Sequence, residues 1–262
     1  MKIKSLALAA ALALTAGAAN AELTKGDNIT TGSSLMLIAY DEVAQVSYVK
    51  DLGTYTNDFY TTGKLSPASW LVNDGEWSEF LAASTVSNIN WLVLGYQSSG
   101  SAIEARKIMT TAQVGTTREQ ILSGNNMNLN NTGTTLNNFV GAVRLTGTHP
   151  TQADGSSFNV LGEGFQGNAY FMNVDRSNVQ GNLKYQTNNL LGATAEFVFL
   201  ARPGTSGLLT PLFQQPGTFT FGADNAGAYN LVYAPVPEPT TYALMVAGLA
   251  AVGLVARRRA AR

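Results

Sequence analysis

Three carboxylates and two tryptophans lie close together in the sequence from Trp70 to Glu79, where Asp74 and Glu76 precede Trp77. Glycoside hydrolysis needs only two carboxyl groups, about 5 to 10 Å apart across the sugar, and sugar sites often add aromatic platforms. The same residues also have a structural explanation, in which the acids complement a helix N-terminus and the tryptophans fill a core. We favour the structural explanation and keep an extracellular carbohydrate-binding module or polysaccharide-acting hydrolase as the alternative function.

Other catalytic chemistries lack the residues that they need. His149 is the only histidine, and the chain has no cysteine. A catalytic triad would rest on His149 without a Gly-x-Ser-x-Gly elbow, and a zinc site would lack ligands. Because Pro150 follows His149, we expect the imidazole in a solvated turn. We therefore predict no catalytic residue, no metal site and no cofactor, and expect that the protein is not an enzyme.

Residues 162–167, Gly-Glu-Gly-Phe-Gln-Gly, formally match the dinucleotide-binding fingerprint. A functional fingerprint opens a helix and is followed about 20 residues later by an acidic ribose ligand. Residues 169–174 are instead aromatic and strand-like, and Thr187 stands where the acid belongs. We interpret the segment as a glycine-rich turn between two strands.

Residues 22–235 form a body whose composition restricts its partners. It carries 10 lysines and arginines against 16 aspartates and glutamates, about six net negative charges. This sign argues against nucleic-acid binding, because neutralising phosphates takes a basic patch. Without disulfides, the body must be stabilised by burial alone, and its length suffices for one core.

The periodicity of the body predicts strands. Uniformly apolar runs at residues 35–40, 89–96 and 197–200 indicate strands covered on both faces. Alternation of apolar and polar residues with a period of two indicates strands with one buried face. The apolar residues that alternate in this way are Val46 and Tyr48, Phe219 and Phe221, and Tyr229, Leu231 and Tyr233. The expected fold is mainly β, a β-sandwich or jelly roll with a few short helices.

Two short helices and one long loop complete the expected body. Ser101 with Glu104 forms a capping-box pattern that predicts a helix over residues 101–112. Asp74 precedes a second helix whose apolar face includes Trp77. Residues 124–138 contain seven asparagines, a composition that favours turns, so we expect a long surface loop there.

The N-terminus has the pattern of a secretory signal peptide. Two lysines precede an apolar core over residues 6–19, followed by Ala19-Asn20-Ala21, the small-x-small pattern that signal peptidase cleaves. Residues 1–21 are therefore predicted to be removed, and Glu22 becomes the first residue of the exported chain.

The C-terminus has the pattern of a membrane span. Residues 240–256 carry no ionisable side chain except Tyr242, and about 17 residues is the lower limit for crossing a bilayer as a helix. The cluster Arg257-Arg258-Arg259 is expected to stay cytoplasmic and stop transfer. The prolines of Pro237-Glu238-Pro239 place the start of the helix after them, which leaves the glutamate at the outer membrane face.

This order of Pro237-Glu238-Pro239, apolar span and arginine cluster resembles the PEP-CTERM sorting signal of Gram-negative bacteria. The resemblance implies that residues 236–239 form the motif, residues 240–256 a transmembrane helix and residues 257–262 a basic tail. It also implies recognition by exosortase, a membrane-embedded cysteine protease, and passage from the inner membrane to the cell surface or the exopolysaccharide matrix. An ordinary membrane anchor that is never cleaved is the alternative. For the body we expect a non-enzymatic structural or interaction role.

Overall fold

The computed structural model describes residues 23–152, 154–164, 168–172 and 179–236. The predicted signal cleavage residues Ala19, Ala21 and Glu22 lie outside the described residues, as do Pro237, Glu238, Pro239, the span at 240–256 and Arg257, Arg258 and Arg259. Within the described ranges, none of the helices combines the length and apolar character that a bilayer crossing requires.

Antiparallel strands dominate the described body, which confirms the mainly β class. In chain order, β1 to β10 are Ser34–Asp41, Val46–Tyr55, Ala68–Val72, Asn90–Gln97, Lys107–Ala112, Ser156–Val160, Asn189–Leu190, Thr194–Ala201, Leu212–Ala223 and Tyr229–Pro235. The helices α1 to α5 are Thr56–Thr61, Gly75–Ala83, Arg118–Ile121, Asn126–Val143 and Gly181–Leu183, with 3-10 turns at Gly63–Leu65 and Val86–Asn88. The apolar runs at residues 35–40 and 197–200 lie in β1 and β8, the run at residues 89–96 coincides with β4 to within one residue, and the three alternating runs lie in β2, β9 and β10.

The strands form one curled sheet in the order β3-β10-β9-β8-β5-β4-β1-β2-β6, with β7 paired to β4. The two edges of this sheet approach each other. This is seen in the hydrogen bond from the indole N–H of Trp70 in β3 to the Leu52 carbonyl in β2, at 2.8 Å. Helix α2 follows β3 and packs on β2 and β6, so it covers the gap between the edges. The arrangement differs from the predicted sandwich or jelly roll of two sheets. Twist that accumulates over many neighbouring strands curls one sheet far enough to enclose a core.

Each face of the sheet buries a core, which explains why β1 is buried along its whole length. The inner face is aromatic, and the ring of Trp77 contacts Tyr48 from one side of the sheet and Phe221 from the other. The outer face is covered by α4, whose Leu136 and Phe139 are fully buried in the second core.

The prediction of a long surface loop at residues 124–138 is wrong, because this segment forms most of α4. Buried residues recur at helical spacing, at Leu129, Leu136, Phe139, Val140 and Val143. The asparagines start the helix rather than break it. The Asn125 side chain accepts from the N–H of Asn128 at 3.1 Å, and the Asn128 side chain accepts from the N–H of Asn125 at 2.9 Å, which satisfies two unpaired donors.

The helix predicted over residues 101–112 is also wrong. Glu104 has a positive φ of 62°, and its carboxylate accepts from the Tyr60 hydroxyl at 2.8 Å instead of capping a helix. Residues Lys107–Ala112 form β5, which pairs with β4 on one side and β8 on the other. A central strand buries all six residues, whereas a surface helix would bury only one stripe.

Candidate functional site

The described chain stays hydrogen bonded up to the residue before the predicted sorting motif. Strand β10 lies between β3 and β9, and its last residue, Pro235, pairs with Gly217. The N–H of Val236 donates to the Pro216 carbonyl at 2.8 Å, and the hydroxyl of Tyr233 donates to the carbonyls of Lys64 and Pro216. The described residues therefore include no linker between the folded body and Pro237.

The exit of this tail defines two ends of the sheet. Antiparallel pairing places the carboxyl ends of β2, β4, β8 and β10 beside the starts of β1, β3, β5 and β9. We call this the tail end, because Val236 leaves the body there, and the opposite end the far end. The loops that cluster at the tail end are residues 23–33, 56–67, 98–106 and 202–211.

Asp74, the first of the carboxylates identified from the sequence, joins α2 to the sheet through hydrogen bonds. Asp74 caps α2 by accepting from the N–H of Trp77 at 3.0 Å, and it also accepts from the Tyr48 hydroxyl at 2.8 Å and from Nζ of Lys50 at 3.2 Å. Burial acts to raise the pKa of Asp74, but these donors outweigh it and hold the pKa below its usual value. The carboxylate is therefore kept ionised as a junction between β2 and α2.

Glu76 and both tryptophans near Asp74 also contact the framework, whereas Glu79 faces solvent. Glu76 accepts from the N–H of Phe158 in β6 at 2.7 Å, and Glu79 is exposed. Trp77 is buried in the inner core, and Trp70 is half-buried with its indole N–H bonded to β2. These positions match the structural explanation rather than a sugar cleft.

His149 lies in the interior, so the prediction of a solvated loop residue is wrong. The turn over residues 148–156 folds back on itself, since Thr148 and Ser156 exchange backbone and side-chain hydrogen bonds, and Gly155 lies against the His149 backbone. Burial and the nearby charge of Lys50 lower the pKa of His149 to about 4. The imidazole is therefore neutral near pH 7.

The described part of the dinucleotide-like segment is a turn, as predicted. Gly162 and Gly164 have positive φ values of 92° and 78°, a region that glycine enters without a steric cost. The Glu163 carboxylate accepts from the N–H of Val160, closing the turn after β6. Residues 165–167 lie outside the described residues. Phe171 and Met172 are helical, so the strand expected after this turn is not formed there.

An open pocket of about 600 Å³ lies at the far end, beyond the last residue of β5. Its lining is rich in amides and hydroxyls: Gln113, Thr116, Gln120, Gln180, Gly181, Lys184, Tyr185 and Gln186. The N–H of Gln113 donates to the Gln186 carbonyl at 2.9 Å and holds the two walls together. Uncharged amides donate and accept, and Lys184 adds a basic group, so such a lining suits a hydroxylated ligand.

Sequence analysis did not find this pocket. Its glutamines come from two segments about 70 positions apart in the sequence, and amide side chains have no characteristic spacing. The two pairs of glutamines, Gln113 with Gln120 and Gln180 with Gln186, were the only available signal, and it was a weak one.

Comparison with known proteins adds one finding, and it concerns the tail. No curated protein and no solved structure matched the chain. Residues 235–259 match the PEP-CTERM protein-sorting motif. The match begins at the last residue of β10 and includes the span and the arginine cluster. This chain carries a PEP-CTERM protein-sorting motif that begins at the last residue of β10, which implies export, a membrane-anchoring C-terminal signal and processing by exosortase.

Proposed function

We propose that the protein is exported with removal of residues 1–21 by signal peptidase and is held in the inner membrane by residues 240–256. Exosortase then releases it to the cell surface or the exopolysaccharide matrix, where the body has a non-enzymatic structural or interaction role. The match of residues 235–259 to the sorting motif carries this proposal.

The structure of the body supports separate roles for the body and the tail, with sorting assigned to the tail alone. The strand pairings of the described residues involve no residue beyond Pro235, and Val236 donates to Pro216, so cleavage beyond Val236 would leave these pairings intact. Around α2, Asp74 and Glu76 bind framework donors, which favours a structural role over hydrolysis.

Replacement of Glu238 tests the sorting step. We expect Glu238→Ala to leave the full-length protein in the inner membrane, because the carboxylate between two prolines is the recognition element. The C-terminus is read by mass spectrometry and the location by cell fractionation, with Glu79→Ala, an exposed acid of the body, as the control. An unchanged C-terminus and surface yield in Glu238→Ala would contradict the proposal.

The mass of the wild-type protein from native cells tests both processing events at once. We expect a chain that begins at Glu22 and ends before Arg262. A chain that retains every residue through Arg262 would identify the alternative, a permanent anchor that is never cleaved.

The pocket at the far end favours a second candidate function, an extracellular carbohydrate-binding module. Its lining of four glutamines beside Thr116, Tyr185 and the basic Lys184 is the observation that supports binding to a polysaccharide. On a glycan array, the wild-type protein should bind hydroxylated glycans, and the double variant Gln113→Ala/Gln186→Ala should bind several-fold more weakly. Gln152→Ala, an exposed glutamine outside the pocket, is the control. Cleavage of a bound glycan would instead identify the polysaccharide-acting hydrolase.

A further inference from the structure

The tail end of the body has little freedom to move away from the bilayer. This argument rests on the proposed function, because it takes residues 240–256 to span the membrane. Val236 is fixed to Pro216, and only residues 237–239 separate it from the span. Each step between Cα atoms covers at most about 3.6 Å, so the connection reaches about 14 Å when fully extended. The tail end must therefore lie next to the headgroups.

The tail end carries several exposed large apolar side chains. They lie in the tail-end loops and at the neighbouring strand ends, and we call them the tail-end apolar surface: Leu65, Ile103, Leu208, Leu209, Leu212 and Val236. Loop 98–106 is joined to loop 202–211 where the N–H of Glu104 donates to the Arg202 carbonyl at 2.9 Å. The turn that holds Leu65 is joined to β10 where the Tyr233 hydroxyl donates to the Lys64 carbonyl at 2.9 Å.

The charge of the body is polarised along the same axis. The tail-end loops and the first residue of β5 carry five basic residues against three acids: Lys25, Lys64, Arg106, Lys107 and Arg202 against Asp27, Asp58 and Glu104. Turns and helices at the far end carry Glu42, Glu119, Glu163 and Asp224 against Arg118 and Lys184. At the tail end, Lys107 and Arg202 are buried, so the half-buried Lys25, Lys64 and Arg106 are the basic side chains nearest to lipid, beside the exposed Asp27 and Asp58. The tail end is therefore less acidic than the rest of the body, and its attraction for anionic headgroups is small.

We propose that the tail-end apolar surface docks on the lipid bilayer while the tail spans the membrane. Leu208 and Leu209 enter the interfacial region, as apolar residues of peripheral membrane segments do, and the half-buried Lys25, Lys64 and Arg106 lie at headgroup level. The amide-lined pocket, at the far end, then points away from the membrane.

Single cysteines test this orientation, because the chain contains none. Leu208 at the tail end and Val43 at the far end are both 81 % exposed, so Leu208→Cys and Val43→Cys form a matched pair. Each full-length variant is labelled with a fluorophore and reconstituted into vesicles of anionic and zwitterionic phospholipid that carry a headgroup-level quencher. We expect quenching at position 208 to be several-fold stronger than at position 43.

Vesicle flotation separates the possible outcomes. If the protein floats with the vesicles and both probes are quenched equally, the span is inserted but the docking proposal is wrong. The same result is expected if this surface binds another protein and not lipid. If the protein does not float, the span itself fails, and the proposed function falls together with the docking.

A second variant tests the role of the leucines. With the probe at Ile103→Cys, the double substitution Leu208→Asp/Leu209→Asp should weaken quenching several-fold without loss of flotation, whereas Val43→Asp should leave it unchanged. If the Leu208→Asp/Leu209→Asp variant and the Val43→Asp variant are quenched equally, the apolar surface does not insert into the bilayer. All the altered side chains are exposed, so the fold is expected to persist.

Discussion

At the residue scale, two buried ionisable groups give the body opposing responses to pH. Asp51 in β2 accepts from the Ser34 hydroxyl at 2.7 Å and from the N–H of Gly53 at 2.9 Å, yet burial raises its pKa to about 6. Burial lowers the pKa of His149 to about 4. Both groups therefore change protonation over the same range of pH, with opposite effects on the free energy of unfolding.

Substitution of Asp51 tests the first effect. Its folded-state pKa lies above the ordinary 3.8, so its stabilising contribution is complete below about pH 4 and is lost as the pH rises through 6. Relative to wild type, Asp51→Asn should gain up to about 3 kcal/mol in the free energy of unfolding between pH 4 and 7. Urea unfolding at both pH values measures the change, with the exposed Asp58→Asn as control. A difference from wild type that stays constant with pH would contradict the prediction.

Substitution of His149 tests the second effect. Its folded-state pKa lies below the ordinary 6.5, so stability is complete above about pH 6.5 and is lost as the pH falls through 4. His149→Gln cannot take up this proton, and its loss of stability on acidification should be smaller than that of wild type by up to about 3 kcal/mol. The same urea titrations measure it. Equal acid sensitivity in the variant and in wild type would show that the imidazole is not held neutral by burial.

At the element scale, α4 shows how side-chain period outweighs composition. Seven asparagines between residues 124 and 138 suggested turns, because asparagine competes for backbone hydrogen bonds. The buried positions nevertheless recur every three or four residues, and the outer face of the sheet offers an apolar surface to cover. Most helical stability in proteins comes from such packing rather than from propensity.

A substitution pair in α4 separates a packed helix from a surface loop. Leu136→Ala removes a fully buried side chain and should lower the free energy of unfolding by about 2–5 kcal/mol. Asn131→Ala changes an exposed position of the same helix and should alter it by less than about 1 kcal/mol, in the stabilising direction. Chemical denaturation of both variants is the measurement. Equally small effects would indicate that residues 124–138 do not pack on the sheet.

The strands were easier to predict than the helices. Tyr229, Leu231 and Tyr233 alternate with a period that only a strand presents to one core, and they form β10 as expected. The Ser101–Glu104 pattern predicted a helix because it considers four neighbouring residues only. Lys107–Ala112 lies between the preceding strand β4 and the remote strand β8, and a pattern over four residues cannot detect either pairing.

At the scale of the whole molecule, the last strand closes the body and also carries its tail. β10 pairs with β3 and β9, and Leu231 and Tyr233 are fully buried in the inner core. The sorting motif at residues 235–259 therefore begins within the last described strand, so the described body and the motif adjoin each other along the chain.

Two truncations test this boundary. A chain that ends at Val236 keeps every hydrogen bond of β10, so its free energy of unfolding should equal that of the tailed protein within about 0.5 kcal/mol. A chain that ends at Ala228 lacks an interior strand and exposes the edges of both neighbours, and it should lose cooperative unfolding. Urea denaturation followed by tryptophan fluorescence compares the two. A stable product from the shorter chain would show that β10 is not part of the body's cooperative unit.

The sequence by itself determined the properties that depend on neighbouring residues. Transfer between water and lipid is a sum over consecutive side chains, so the sorting motif at residues 235–259 could be identified without coordinates. Alternation along a strand is equally local, and it identified the β class. Tertiary structure alone decided that one sheet curls until α2 covers the gap between its edges, that His149 is buried, and that distant glutamines line one pocket. Those outcomes depend on which remote segments pair, because burial and hydrogen bonding are set by neighbours in space rather than along the chain.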